Sequence, residues 1–415
     1  MSQNTINSPY SSLGLGELGG LDHAVFSSLG NTTITLQDST LLNYYNPASY
    51  GTLAKGQPLF SFGISSKLSD FSEKDQSYFG SVTSIQHIAM AFSFAKRLGL
   101  AFGLKQYSRR GYEFSSYSVI GSDSLFYKYE GLGGVNEVFL GLSVNVINTK
   151  KARLSIGTNL GYLFGTTTNF RKSGLVSSGS TTYAGGISSK EMKIGSFHYE
   201  IAAQYTQRFN EKHTIGIHTV LDPFQKINGS YEDGLYYSTN VDNQNSYDTL
   251  SFNDSLSGNI TNIPTYNFGL SYTLDLKGRK GQTNELNSQV SFHASYSISD
   301  WEKYENRFDP NFTNAFLNTS KMTFGIQYIP ETDFISKKVV TKFYHRLRYR
   351  AGVYQATLPY QLNDLQVTDF GTTFGIGIPI MALNSLSSIN LGFTIGKRGI
   401  DDPQAFKEQY YGINI

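Results

Sequence analysis

The segment LSIGTNLGYLFG, residues 154–165, decides the fold. Leu154, Ile156, Leu160, Tyr162 and Phe164 share one parity, and Ser155, Gly157, Asn159 and Gly161 share the other. A period of two places successive side chains on opposite faces, so the segment is a strand with one apolar face and one small or polar face. The same alternation returns in LGLAFGL (98–104), VSFHASYSI (290–298) and INLGFTIG (389–396). About 14 such segments follow one another, starting near Leu59, Phe79, Leu98, Val135, Ala152, Phe197, His213, Pro264, Leu286, Ser320, Val340, Asp369, Ser387 and Gln409. Each offers the roughly ten-residue stretch that crosses a bilayer as a tilted strand, and an even strand number is what single-chain outer-membrane barrels use.

The connections alternate in length. Lys96–Arg97, Asn148–Lys151 and Asn210–Lys212 are short, whereas Lys172–Ser196 and Phe224–Ile263 are long and rich in Gly, Ser, Asn and Tyr. Short turns on one side and long loops on the other is the asymmetry of a barrel whose long loops face outward. A soluble propeller would repeat at a period of about 40 residues with recurring motifs. It would also put more Lys and Glu on the outer face than these strands carry.

Composition agrees. The 415 residues include 41 Gly, 29 Tyr and 29 Phe against one Trp and no Cys, and the formal charge is +2. Near-neutrality argues against a nucleic-acid partner. No apolar run approaches the ~20 residues that a membrane-crossing helix needs. The absence of Cys removes disulfides, thiolate metal sites and a lipidated N-terminal cysteine. The start, MSQNTINSPY, has neither a basic nor an apolar leader region, so for an exported chain the signal peptide is expected to lie outside this numbering.

Residues 1–56 precede the first strand and are too weakly periodic to fold alone. They read as a segment packed inside the barrel, because about 14 strands enclose a lumen too wide for their own side chains to fill. Within this segment, LLNYYNPASY (41–50) carries Asn46, Pro47 and Ala48. Pro47 fixes its own φ and biases Asn46 away from helix, which marks a tight corner.

This plan, an N-terminal hatch with an Asn-Pro-Ala triplet before a 14-stranded barrel, resembles the FadL/OmpP1/TodX family of outer-membrane transporters. The string from Ser8-Pro9-Tyr10 through LGLGELGG to LNYYNPASY, with GLGGVNEVFLGLS (131–143), is similar to the Bacteroidota branch, which includes PorV-like barrels. The resemblance implies uptake of a hydrophobic small molecule that leaves sideways through a gap at a kink in the third strand. Release into the bilayer spares an apolar chain the cost of water, about 0.8 kcal/mol per CH₂. The alternative it implies is a non-transporting barrel within a larger outer-membrane secretion or assembly complex. Expected partners are therefore outer-membrane lipids, a hydrophobic ligand or other outer-membrane proteins.

Several residues bear on these readings. Arg109, Arg110 and Gly111 interrupt the alternation of the third segment, either as that kink, with Gly111 in a bulge, or as arginines at the membrane interface. Arg346, Arg348 and Arg350 share a parity and should point into the lumen, since an Arg facing lipid at mid-depth costs about 2–4 kcal/mol. There they would meet a ligand carboxylate or hatch acids such as Glu17 and Asp38. His87, His218 and His293 read as lumenal hydrogen-bonding groups without metal-ligand spacing. No nucleophile elbow, phosphate loop or Ser-His pair stands out, so no enzyme activity, cofactor or metal is expected. From Gln409 to Ile415 is short for a full crossing, and the reading is a truncated last strand.

Overall fold

In the computed structural model the described residues are 8–12, 14–19, 23–56, 58–74, 76–95, 97–120, 123–176, 184–276, 287–308, 313–332, 342–382, 385–402 and 405–415. A short strand β1 (Glu17–Leu18), a helical turn α1 (Ala24–Ser27) and a 3-10 turn (Pro47–Thr52) precede the first long strand. The strands that follow are β2 (Leu59–Glu73), β3 (Gln76–Ser93), β4 (Leu98–Ile120), β5 (Asp123–Asn148), β6 (Ala152–Val176), β7 (Ala184–Arg208), β8 (His213–Asp222), β9 (Lys226–Ser238) and β10 (Tyr247–Thr261). After them come β11 (Thr265–Leu276), β12 (Ser288–Ser299), β13 (Thr319–Ile329), a helical turn α2 (Phe343–Arg346), β14 (Arg348–Leu362), β15 (Leu365–Ala382), β16 (Ser385–Gly399) and β17 (Lys407–Asn414).

Antiparallel neighbours run from β2 to β8 and from β11 to β17. The pairings β11–β8 and β17–β2 close the fourteen strands into a barrel. Closure pairs the first and last strands, whose edges would otherwise lie open in lipid. β17 pairs over Gly392–Arg398 of β16 and over Ser65–Ser72 of β2.

The alternation has the polarity of a membrane barrel. Phe102, Leu140, Leu160, Phe292 and Ile395 are between 42 and 53 % exposed on the outer side, while Glu137, Asn159, His218, His293 and Arg350 are 4 % exposed or less on the inner side. A water-soluble sheet would invert that arrangement. The chain is thus an outer-membrane β-barrel.

Two expectations need correction. The stretches read as long loops, Lys172–Ser196 and Phe224–Ile263, are largely strand. β6 and β7 each run for 25 residues, and β9 and β10 form a hairpin that pairs with the upper half of β7. Above the lipid both faces of these strands carry polar and charged groups, so the apolar alternation fades while the backbone ladder continues. β8 is only 10 residues long and stops before Pro223, which cannot donate to a ladder, and the β9–β10 hairpin takes its place beside β7. β14, the eleventh of the expected segments, starts at Arg348 rather than near Val340, with α2 ahead of it; Val340 itself lies outside the described residues. The result is a tall wall of β4–β7, β9 and β10 that gives way, past β8, to the shorter strands β11–β13.

β14 and β15 are joined by Asn363 and Asp364, at φ of 50° and 61°. Two consecutive positive φ values are those of the tight hairpin turn that Asn and Asp tolerate.

Candidate functional site

The site is the contact between the N-terminal segment and the inner wall. Its first anchor is the corner at residues 46–48. The Asn46 side chain accepts a hydrogen bond from the Ala48 N–H at 3.1 Å and so caps the 3-10 turn, with Pro47 at the first turn position. Its amide nitrogen donates to the Ile34 carbonyl at 2.8 Å and to Gln204 on β7 at 3.0 Å. Gln204 and Ser143 donate in turn to the Ala48 carbonyl at 2.9 and 3.1 Å. Tyr50 donates to Asn159 on β6 at 2.9 Å, and Asn145 on β5 donates to the Gly51 carbonyl at 2.6 Å. The triplet therefore sits on β5, β6 and β7. Gly157 permits this approach, because a Cβ there would lie 2.4 Å from the Pro47 carbonyl carbon.

The second anchor is Arg348, which donates to Asp38 at 2.7 Å and to Thr40 at 3.3 Å. Burial alone would raise the Asp38 pKa, but the Arg348 charge and two hydrogen bonds from Thr40 hold it below its ordinary value. Arg350, on the same face, donates instead to Gln327 and Asn390 of the wall, at 2.7 and 2.9 Å. Arg346 ends α2 and is not on β14, so the expected ladder of three arginines is a pair. α2 breaks the parity on which the third rung depended.

The third anchor follows the strand that holds Arg109–Gly111. Its irregularity lies earlier than expected, between Gln106 and Ser108, and Gly111 stays in register with Leu132 of β5. Tyr107 is the extra residue, and the shift turns Ser108 and Arg110 inward. Ser108 donates to the Leu15 carbonyl at 3.0 Å, Arg110 donates to the carbonyls of Ser11 and Gly14, and the Gly111 N–H donates to Ser11 Oγ at 3.1 Å. Arg109 is opposite Glu17 where β1 pairs with β4. Gly16, at φ +100°, allows this, since a Cβ there would sit 2.4 Å from the Arg109 carbonyl oxygen. β3 and β4 pair only from Ser93–Gly99 to His87–Lys105, and past that point the two strands part.

The fourth anchor was missed in the sequence. Arg398 on β16 donates to Glu17 at 2.8 Å and to Asp369 at 3.0 Å, with Glu408 at 3.6 Å. Glu408 also takes Lys67 at 2.7 Å and the Ser8 hydroxyl at 2.8 Å. The inward parity of Asn390, Thr394 and Arg398 was the available signal.

His87, His218 and His293 all face inward. His87 bonds Tyr44 and Ser61, His218 bonds Ser271, and His293 bonds Thr35 and Ser291. His23 of the segment stacks on His87 at 4.8 Å between ring centroids. Burial, the neighbouring His87 and Arg350 push the His23 pKa well below its ordinary value. A buried charge cluster joins Lys105 to Glu137 and Glu200, at 3.2 and 3.5 Å, and sets His198 between Glu137 and Asp222, at 3.2 Å each.

Cavities with polar and apolar lining remain between the segment and the wall. One of about 90 Å³ lies beside β1, one of about 190 Å³ beside Lys321 and Trp301, and one of about 320 Å³ lies among Lys151, Arg153 and Arg208 at the short-turn end.

The fold is similar to solved hydrocarbon channels. A "CymD monoaromatic hydrocarbon channel" superposes with a TM-score of 0.54 at 12% identity, covering 96% of this chain and 97% of that one. The toluene transporter TodX of Pseudomonas putida gives 0.53 at 12%, covering 97% and 98%, and a FadL homologue of Pseudomonas aeruginosa gives 0.53 at 10%, covering 96% and 98%. Among curated proteins no sequence matches the chain. A family model described as BamG matches residues 1–415, the whole length. With the fold of the FadL-type outer-membrane barrels, the chain belongs to the BamG family.

Proposed function

We propose that this barrel is a non-transporting subunit of a larger outer-membrane secretion or assembly complex. Residues 1–56 serve as its hatch, the long hairpins stand outside the cell and the short turns face the periplasm. One observation carries the reading: the segment is bonded to β3–β7 on one side and to β12–β17 on the other, so that it spans the lumen from wall to wall. A transporter of apolar molecules needs a continuous apolar path, whereas a scaffold needs only a rigid wall. The experiment is intact-complex mass spectrometry of the protein extracted from its native membrane in mild detergent. Stoichiometric protein partners with an empty lumen support the reading; a single barrel carrying an apolar molecule overturns it.

The second reading is uptake of a hydrophobic molecule with lateral release. It is favoured by the parting of β3 and β4 beyond His87–Lys105 and by the likeness to the hydrocarbon channels. In that case β1 and Arg109–Gly111 would be the moving part of the opening. Neither reading gives the chain a catalytic step.

A further inference from the structure

We infer that the cavity at the short-turn end of the lumen, around Arg153, is an anion-binding site that takes a carboxylate-rich peptide segment of a partner protein. The inference rests on the complex-subunit reading, which puts this end on the periplasmic side, and names the chemistry by which one partner is held.

Charge sets the site apart. Arg153 shares the inward parity of Ser155 and Asn159 on β6, and Arg208 that of Gln204 on β7. Lys150 and Lys151 belong to the turn between β5 and β6. Against these four cations the cavity wall has one carboxylate among the described residues, Asp275. It is 3.9 Å from Arg208 and accepts the Gln289 amide at 2.7 Å. Arg208 itself donates to the Asn210 and Glu211 carbonyls of its own turn, at 3.2 and 3.1 Å. Elsewhere along the inner wall Lys67, Lys105, Arg348 and Arg398 each have a carboxylate within 3.2 Å.

Arg153 has no such partner. Its Nε is buried without a hydrogen-bond partner, and no ion pair reaches the guanidinium among the described residues. Gln37, from the N-terminal segment, lines the same cavity; its Oε1 takes the Thr206 hydroxyl at 3.2 Å, and its Nε2 is buried without an acceptor. Buried N–H groups are nearly always bonded, so two orphaned donors on one cavity call for an acceptor that the chain does not supply. The surplus of cations makes that acceptor an anion, and the planar fork of an arginine matches a carboxylate. At about 320 Å³ the cavity is larger than one free carboxylate or phosphate ion fills. The rest of its wall is mostly hydroxyls and side-chain amides, which suit a peptide and offer little to an acyl chain. Recognition of an acidic motif by clustered cations is a recurring mode of peptide binding.

The test uses the purified full-length barrel in neutral detergent and a fluorescein-labelled hexaglutamate peptide, read by anisotropy. Hexaglutamate is expected to bind and to weaken as salt rises. It should lose at least tenfold in affinity in Arg153→Gln and in Lys150→Gln with Lys151→Gln, but not in Lys74→Gln, in the β2–β3 turn at the opposite end. Because Arg153 has no partner in the chain, Arg153→Gln should keep the parent's urea midpoint and heat-modifiable mobility; a fall in the midpoint would make it a structural residue and overturn the site. Absence of binding, or binding that survives Arg153→Gln, overturns it as well. Displacement of the peptide by inorganic phosphate or glutarate at the peptide's own concentration marks a site for a small free anion and overturns the peptide occupant. In complexes extracted from native membranes, Arg153→Gln combined with Lys150→Gln and Lys151→Gln should lose one partner. Retention of every partner overturns the docking role and leaves the complex reading standing. A parent barrel that comes out without partners while still binding hexaglutamate overturns the complex reading, and the partner with it.

Discussion

Arg398 and Glu17 are 381 positions apart in sequence and 2.8 Å apart in space. The guanidinium is 5 % exposed, and its other partners, Asp369 and Glu408, are 4 and 0 % exposed. A buried cation among three carboxylates is a strong constraint on where the N-terminal segment sits, because removing one member strands the others. Breaking such a group by deleting one partner costs about 3–5 kcal/mol. Arg398→Ala, which removes the cation that Glu17, Asp369 and Glu408 share, should therefore lower the unfolding midpoint sharply. Glu17→Gln leaves Arg398 with two wall partners and should cost about 1 kcal/mol. Urea titration of both variants, followed by gel mobility, checks the order; equal costs would mean that Asp369 and Glu408 do not hold Arg398.

Asn46 makes a second prediction. Its side chain caps a turn and donates to both the segment and β7. Losing a cap costs about 1 kcal/mol, and leaving Gln204 and the Ile34 carbonyl unsatisfied adds about 1–3 kcal/mol. Asn46→Ala with Pro47→Ala should speed amide exchange across Leu42–Tyr50 and raise small-solute leakage in liposome swelling. Unchanged leakage would count against the hatch assignment.

The anchoring should also weaken in mild acid. His23 is buried, stacks on His87, packs near Tyr44 and feels Arg350, and its pKa is depressed. A base with a depressed folded pKa binds fewer protons folded than unfolded, so its stability contribution is full above the unfolded value of about 6.5 and falls as pH drops below it. Asp38, also depressed, contributes above the unfolded value of about 3.9 and is lost as pH falls through its lower folded value. Exchange of Ala24–Leu36 amides, corrected for intrinsic rate, should accelerate between pH 7 and pH 5 before any acid effect at Asp38–Tyr44. His23→Phe should weaken the first step and keep the second.

What the sequence disclosed follows from what lipid imposes. Between the two membrane surfaces every strand must alternate, so residues such as Leu154 and Phe292 reveal their faces from parity alone. Above the membrane that constraint lapses: Lys128, Glu130 and Lys172 pair across one face, and the extensions of β5 and β6 read as loop. The Arg348–Asp38 contact could be expected because a lumenal cation needs a partner and the segment had few acids to offer. The Arg398 group could not be assembled in advance, since its members come from β15, β16, β17 and β1 and no local spacing joins them.

The close approach of backbone to wall yields the last prediction. Gly157 on β6 faces inward, and a Cβ there would meet the Pro47 carbonyl carbon at 2.4 Å and the Ala48 nitrogen at 2.6 Å. These are backbone atoms of the corner and cannot rotate away, so the corner must lift off β6 and lose the Tyr50–Asn159 hydrogen bond beside it. Overpacking of this kind costs about 1–3 kcal/mol. The strand itself accepts the change, because its ladder to β5 and β7 does not involve the side chain. Gly157→Val should therefore leave a heat-modifiable barrel in which Tyr44–Tyr50 exchanges rapidly and liposome swelling rises. Gly186→Ala, whose new methyl would meet nothing nearer than 3.9 Å, should behave as the parent protein. If Gly157→Val instead prevents barrel formation, the corner is needed to build the wall and not only to close it, and the separation of hatch from barrel would be wrong.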